Sequence, residues 1–266
     1  MSEQNVSGSS PTAADPSTGE RTFEDVLASV ADIAGWMTDD QARLLWDSAR
    51  SLTAGERVVE IGSFQGRSTI VLANAVPDGV TVIAIDPHAG TDRGPEEIAG
   101  KELEAENDSR SFQRSLEAAG IRDRVEYLRQ WSDDALEEVG GMVELLYIDG
   151  AHRYGPAKAD IDRWGGRVVA GGTLLIHDSF SSIGVTGAIL ASLTFSSQWR
   201  YEGRAQSMTC YRRTSVPLGE RVANAGRQLA QLPWFARNVV FKVLIKANLR
   251  PVALRLGLDP AQEWPF

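Results

Sequence analysis

Between residues 55 and 213 the chain alternates short apolar runs with stretches of helical spacing. The runs at 58–61, 80–85, 125–128, 143–148 and 173–176 are mostly apolar and rich in Val, Ile and Leu. That is the pattern of strands buried on both faces. Helical periodicity fills the intervals at 68–75, 111–119, 133–139 and 156–164, and returns at 185–193. Continuous apolar strands separated by helices predict an α/β fold with a parallel sheet covered on both sides. Two more strand-like stretches, near 199–203 and 208–213, have no long helix between them and predict an antiparallel pair.

The ends of the chain read differently. Residues 1–20 are rich in Ser, Thr, Gly, Pro and Ala and hold no aromatic residue, so a disordered tail is expected there. Apolar positions at helical spacing over 22–52 predict two helices, the second opened by Thr38-Asp39-Asp40. The main domain therefore spans 21–214, with a helical extension at 215–266. The Gly-rich, acidic stretch 89–110 reads either as a lid over a substrate or as a solvated loop.

Charge sharpens this division. The 266 residues carry a formal net charge of −9. Residues 215–266 are +4, with seven basic and three acidic residues, and the remainder is −13. An acidic body excludes general nucleic-acid binding, which needs clustered cations. One cysteine cannot form an internal disulfide or a thiolate metal cluster. The N-terminal sequence lacks the basic and apolar regions of a secretory signal, and no apolar run is long enough to span a bilayer. A cytoplasmic location is expected. In the extension, Lys242, Lys246 and Arg250 form a basic stripe at helical spacing, beside Val240, Phe241, Val243, Leu244 and Ile245. Such a helix suits peripheral contact with an anionic membrane, a partner subunit in a homodimer, or the domain itself, and the sequence leaves these open.

The chemistry begins where the first strand ends, in Glu60-Ile61-Gly62-Ser63-Phe64-Gln65-Gly66-Arg67-Ser68-Thr69. Gly62 and Gly66 allow a tight strand-to-helix turn and close approach of a ligand. The second strand ends in Asp86, where a carboxylate can accept hydrogen bonds from both hydroxyls of a ribose. Dinucleotide enzymes use G-x-G-x-x-G; this chain has E-x-G-x-x-x-G, whose acidic residue opposes a pyrophosphate and suits a cationic ligand.

These segments, together with Ala84-Ile85-Asp86-Pro87, Leu146-Tyr147-Ile148-Asp149-Gly150-Ala151-His152-Arg153-Tyr154 and Gly171-Gly172-Thr173-Leu174-Leu175-Ile176-His177-Asp178-Ser179, resemble class I S-adenosylmethionine-dependent methyltransferases. More narrowly, they resemble the bacterial macrocin-type sugar O-methyltransferases and the so-called cephalosporin hydroxylases. The resemblance covers about residues 38–213. It implies a Rossmann-like seven-stranded, mostly parallel sheet with the last strand antiparallel and helices on both faces. It further implies transfer of a methyl group to a hydroxyl of a sugar, glycolipid or other small metabolite. Alternatives are a catalytically silent protein that keeps the cofactor fold, and a nicotinamide-dependent oxidoreductase. On matching positions, Glu60, Gly62, Ser63, Phe64, Gly66 and Ser68 are expected around the methionine part of the cofactor, and Asp149 beside it. Asp86, with Pro87 and His88, is expected at the ribose, and Trp131 and Ser132 at the adenine.

All three histidines, His88, His152 and His177, follow predicted strands and so fall on one sheet edge. Histidine suits the removal of a hydroxyl proton. His152 is the first candidate base, His177 the second, with Asp149 beside them. The family's metal-binding acidic positions match Asp149 and Asp178. Ser179 stands where relatives carry Asn or Asp, which leaves a Mg²⁺ ion there an open expectation. Asp160 and Asp162 read as a solvated helix face.

Overall fold

A computed structural model describes residues 21–89 and 102–256. The expected tail at 1–20, most of the expected lid, and the last ten residues lie outside the described residues. Helices α1 (Phe23–Ser29) and α2 (Asp39–Arg50) precede the sheet. Each opens with a capping box, Thr22 with Asp25 and Thr38 with Gln41, which satisfies backbone N–H groups that the helix cannot. Five parallel strands follow: β1 (Arg57–Ile61), β2 (Thr81–Ile85), β3 (Val125–Leu128), β4 (Val143–Ile148) and β5 (Val168–Ile176). Helices α3 (Arg67–Ala75), α4 (Glu102–Ala118), α5 (Ser132–Val139) and α6 (Tyr154–Gly165) connect them. After α7 (Ile183–Ser192) come β6 (Trp199–Ala205) and β7 (Met208–Arg213).

The sheet order is β3-β2-β1-β4-β5-β7-β6, and β7 inserts antiparallel between β5 and β6. The order reverses direction at β1 and β4, and there a crevice opens beyond the strand ends. Two apolar layers flank the sheet. One packs α1–α4 against it through Leu45, Trp46, Ile70, Leu72 and Phe112. The other packs α5–α7 through Ile161, Trp164, Val185 and Ile189.

Two boundaries differ from the sequence reading. Helix α4 starts nine residues before the predicted helix, because Glu102–Arg110 holds only Leu103 and Ala105 as apolar residues and shows no apolar stripe. Strand β5 starts five residues early at Val168. Gly171 and Gly172 sit within it at an irregular register with β4, so the apolar run breaks although the strand does not.

The extension forms α8 (Leu218–Leu229), α9 (Leu232–Lys246) and α10 (Arg250–Arg255). It is tied to the domain by buried amides. Asn224 accepts from Tyr201 N at 2.9 Å and donates to Trp199 O at 3.0 Å. The hydroxyl of Tyr211 donates to Gln228, and Asn238 donates to Phe180 O at 3.1 Å. The basic stripe expected across Lys242, Lys246 and Arg250 is not continuous. The helix ends at Lys246, and Asn248 takes a left-handed conformation before Pro251. Lys242 turns inward instead, and its ammonium donates to Ser181 O and Oγ at 3.2 Å.

Glu60 is fully buried beneath α3. It accepts from Ser68 Oγ, and from Thr69 Oγ1 at 2.5 Å. Burial raises its pKa from 4.5 to about 8, against the two hydroxyl donors. The folded protein thus keeps a proton that the unfolded chain releases above pH 4.5. Its stabilising effect is complete below that value and is lost as pH rises through about 8. The variant Glu60→Gln is expected to gain thermal stability relative to the wild type as pH rises from 5 to 8. Scanning calorimetry across that range tests this, and a constant difference in Tm would contradict it.

Candidate active site

Every loop that leaves the carboxyl end of a parallel strand faces one edge. Six non-glycine residues have left-handed backbone among the described residues, and four are on this edge: Phe64 (φ 45°), His88 (φ 43°), Asp178 (φ 53°) and Phe180 (φ 55°). Such conformations cost on the order of 1–3 kcal/mol each and persist only where other contacts hold them.

Asp86, just past β2, supplies one such contact. Its carboxylate accepts from Phe64 N and from His88 N, both at 2.8 Å. Each carboxylate oxygen has a second acceptor position left, so two ribose hydroxyls can still donate to it. His88 is buried and supplies another. Its Nε2 is 2.7 Å from Phe64 O, which can only accept, so Nε2 carries the proton. That leaves Nδ1 to accept from the Tyr127 hydroxyl at 2.7 Å. His88 therefore locks the β1–α3 loop to β2 and β3.

A cavity of about 460 Å³ opens beside these groups. Gly62, Phe64, Asp86, Pro87, His88, Trp131, Ser132 and Asp149 line it, all named from the sequence. The Trp131 ring is exposed at its margin, free to cover a flat ligand. Asp160 also lines it, and is buried rather than solvated: Ser132 Oγ donates to it at 2.5 Å, and burial raises its pKa to about 6. Asp162 is at the surface, where Lys158 donates to it. Glu60, Gly66 and Ser68 do not line this cavity; they lie behind it and shape the loop. Gly66 caps α3 at φ 92° against the Phe112 ring. Ser63 faces a small recess shared with Trp36, Arg67 and Asp149, and its buried hydroxyl has no partner. Gly62, at φ 88°, lies so close to β4 that a Cβ would be 2.3 Å from Asp149 O.

A second cavity, about 670 Å³, adjoins the first across Asp149. Its polar floor is Asp149, His152, His177 and Asp178. His152 Nε2 is 2.8 Å from Asp178 Oδ2, and His177 Nδ1 is 3.2 Å from Asp149 Oδ1 and 3.6 Å from Asp178 Oδ2. Burial opposes a charge on His177, but the Asp149 and Asp178 carboxylates outweigh it and raise its pKa to about 10. Its place between two carboxylates favours the charged form of the ring. Burial of Asp178 works against its charge, yet His177 and His152 hold its carboxyl well below the usual range.

Asp149, His152 and Asp178 each offer a ligand atom within 4.8 Å of the others. Asp178 Oδ1 is buried and has no partner. This donor set of two carboxylates and one imidazole fits a divalent cation. Ser179 does not belong to it. Its hydroxyl turns into the sheet, donating to Ile176 O at 2.8 Å and pairing with Thr209 Oγ1 at 2.7 Å. The left-handed turn at Asp178 sends the two neighbouring side chains to opposite sides. His152 takes the place expected for Ser179.

The remaining wall comes from distant segments: Trp36 before α2, Tyr154 and Arg153 at the start of α6, Ile183 and Gly184 on α7, and Val239, Lys242 and Val243 on α9. None of these was legible as a site residue from motif spacing. Only the odd Lys242 in an apolar helix offered a signal.

Residues 59–179 match the family model of a methyltransferase domain. The sheet order and the cavity at the switch point agree with that match. Among solved structures, the O-methyltransferase NovP is similar, at 18% identity and a TM-score of 0.53, covering 68% of this chain and 84% of NovP. A protein from Corynebacterium glutamicum is similar at 15% identity and a TM-score of 0.55, covering 76% of this chain and 94% of its own.

Gly184 gives a structural test. A Cβ there would be 2.2 Å from His152 O and 2.7 Å from Tyr154 N. Alanine normally gains up to about 1 kcal/mol over glycine in a helix. Here Gly184→Ala is expected to lower Tm, since the His152 loop must move. An unchanged or raised Tm in thermal unfolding would show that the α7–loop contact is looser than drawn.

Proposed function

We infer that the chain transfers a methyl group from S-adenosylmethionine to a hydroxyl oxygen of a sugar or other small hydroxylated metabolite. One observation carries this reading. Asp149 forms the wall between a cavity holding a ribose-type carboxylate and a cavity floored by an imidazole–carboxylate pair. Bound S-adenosylmethionine supplies a methyl group on a sulfonium, an electrophile that needs a positioned nucleophile and little else. Asp86 accepts the ribose hydroxyls and Trp131 covers the adenine, while the unpartnered Ser63 hydroxyl, in the recess that shares Gly62, Phe64 and Asp149 with this cavity, suits the polar end of the methionine part. His152, oriented by Asp178, takes the proton of the acceptor hydroxyl, and the neighbouring carboxylate stabilises the imidazolium that forms. The likeness of fold to the O-methyltransferase NovP favours oxygen as the atom methylated.

A second reading of the floor rests on the unpartnered Asp178 Oδ1 and the three converging ligand atoms. In it Asp149, His152 and Asp178 hold Mg²⁺, which would lower the pKa of an acceptor hydroxyl. Calorimetric titration of the chain with Mg²⁺ separates the readings. Binding lost in Asp178→Asn supports the ion, and no binding with activity retained in chelator supports the imidazole alone.

Titration with S-adenosylmethionine and with NADH tests the class of cofactor. Binding of the first and not the second is expected, and failure to bind the first would remove the proposal. Asp86→Ala is expected to weaken that binding about tenfold or more, the loss of charge-assisted hydrogen bonds. His152→Ala is expected to lower kcat roughly 10²- to 10⁴-fold with cofactor affinity unchanged. Retained kcat would assign the proton elsewhere. Cofactor binding without turnover on any hydroxylated acceptor would favour a silent cofactor-binding protein.

A further inference from the structure

Helix α9 presents an exposed face made of Pro233, Ala236, Val240, Val243 and Ala247. The spacing is helical and no charge interrupts it. On an isolated soluble domain such a face is costly to leave in water. Val243, 59% exposed, also lines the second cavity. At the same mouth stand Ile183, 70% exposed, and the partly open rings of Tyr154 and Trp36. The apolar face of the helix and the apolar rim of the cavity are therefore one surface.

Charge identifies what that surface meets. Residues 232–256, which make α9 and α10, hold five cations, Arg237, Lys242, Lys246, Arg250 and Arg255, and no acidic residue. Lys242 is spent inside the cavity wall, on Ser181, and Arg237 is half-buried, while Lys246 and Arg255 are exposed. The main body of the chain is strongly acidic. A cationic, apolar patch on an acidic protein matches an anionic lipid surface, which attracts basic side chains and accepts the apolar face. No helix among the described residues is long and apolar enough to cross a membrane, so such contact is peripheral.

We propose that the exposed face of α9 docks on an anionic phospholipid surface and holds the mouth of the second cavity against it. Resting on the reading of that cavity as the acceptor site, this makes the acceptor an amphiphile. Its hydroxylated head reaches the Asp149–His152–Asp178 floor while its apolar part stays at the rim. Phospholipid, rather than a second copy of the chain, is the occupant because two copies would bring like charges together.

The test uses the full chain with vesicles of phosphatidylcholine alone and of phosphatidylcholine mixed with phosphatidylglycerol. Co-sedimentation with the anionic vesicles only, weakened by salt, is expected. Val240→Asp with Ala247→Asp is expected to abolish it, and Lys246→Glu to weaken it about fivefold or more. Orientation is read with an environment-sensitive fluorophore in a Cys210→Ser background. A label at Ile183→Cys is expected to shift blue on vesicle binding, and one at Asp78→Cys is expected not to. No sedimentation with anionic vesicles, equal sedimentation with neutral ones, or retention by the double variant overturns the proposal. So does a solution dimer that the double variant dissociates. Calorimetry with S-adenosylmethionine on the same samples keeps the outcomes apart. Cofactor binding without vesicle binding sinks only the docking, and loss of cofactor binding sinks the reading of the site.

Discussion

The carboxyl edge of the sheet exists in a conformation that its own residues resist. Phe64, His88, Asp178 and Phe180 all have side chains and all hold left-handed backbone. What holds them is buried and polar. The Asp86 carboxylate gathers the amides of Phe64 and His88, and the His88 ring is clamped between Phe64 O and Tyr127. On the other side of the crevice, Ser179 binds Thr209 and Asn238 reaches in from α9 to Phe180 O. These ties let two catalytic-type loops keep shapes that an unsupported chain would abandon. They also explain why so many polar groups are buried at one end of an otherwise apolar sheet.

The floor of the second cavity is a charge balance. Two carboxylates, Asp149 and Asp178, sit where solvent is scarce, and the ring of His177 lies between them. Removing water from such groups is expensive unless they are paired. His152, also paired with Asp178, is the more open of the two rings. The three histidines on one edge thus differ in place: His88 clamps a loop, His177 lies buried between two carboxylates, and His152 lines the cavity.

Much of this was legible in the sequence. The five parallel strands read clearly because strands in a covered sheet leave short, mostly apolar runs. Asp86 and Asp149 followed from being the first polar residues after such runs. Legibility failed where side-chain direction depends on backbone turns. Ser179 looked like a ligand, yet the left-handed turn at Asp178 sends it into the sheet. Asp160 looked solvated because its neighbours on α6 are charged, yet Ser132 and the domain core enclose it. The polar first half of α4 carries no stripe to betray a helix. Lys242 seemed one member of a surface stripe, and only the packing of α9 on the β5–α7 loop turns it inward.

The two cavities differ in where their walls come from along the chain. The first cavity is lined wholly by residues 61–160. The second needs Trp36 at one end and Val239, Lys242 and Val243 at the other. On a ribosome, where segments fold as they emerge, the first can take shape while the second still lacks a wall. The extension that closes the second cavity is thus the last part of its wall to be made.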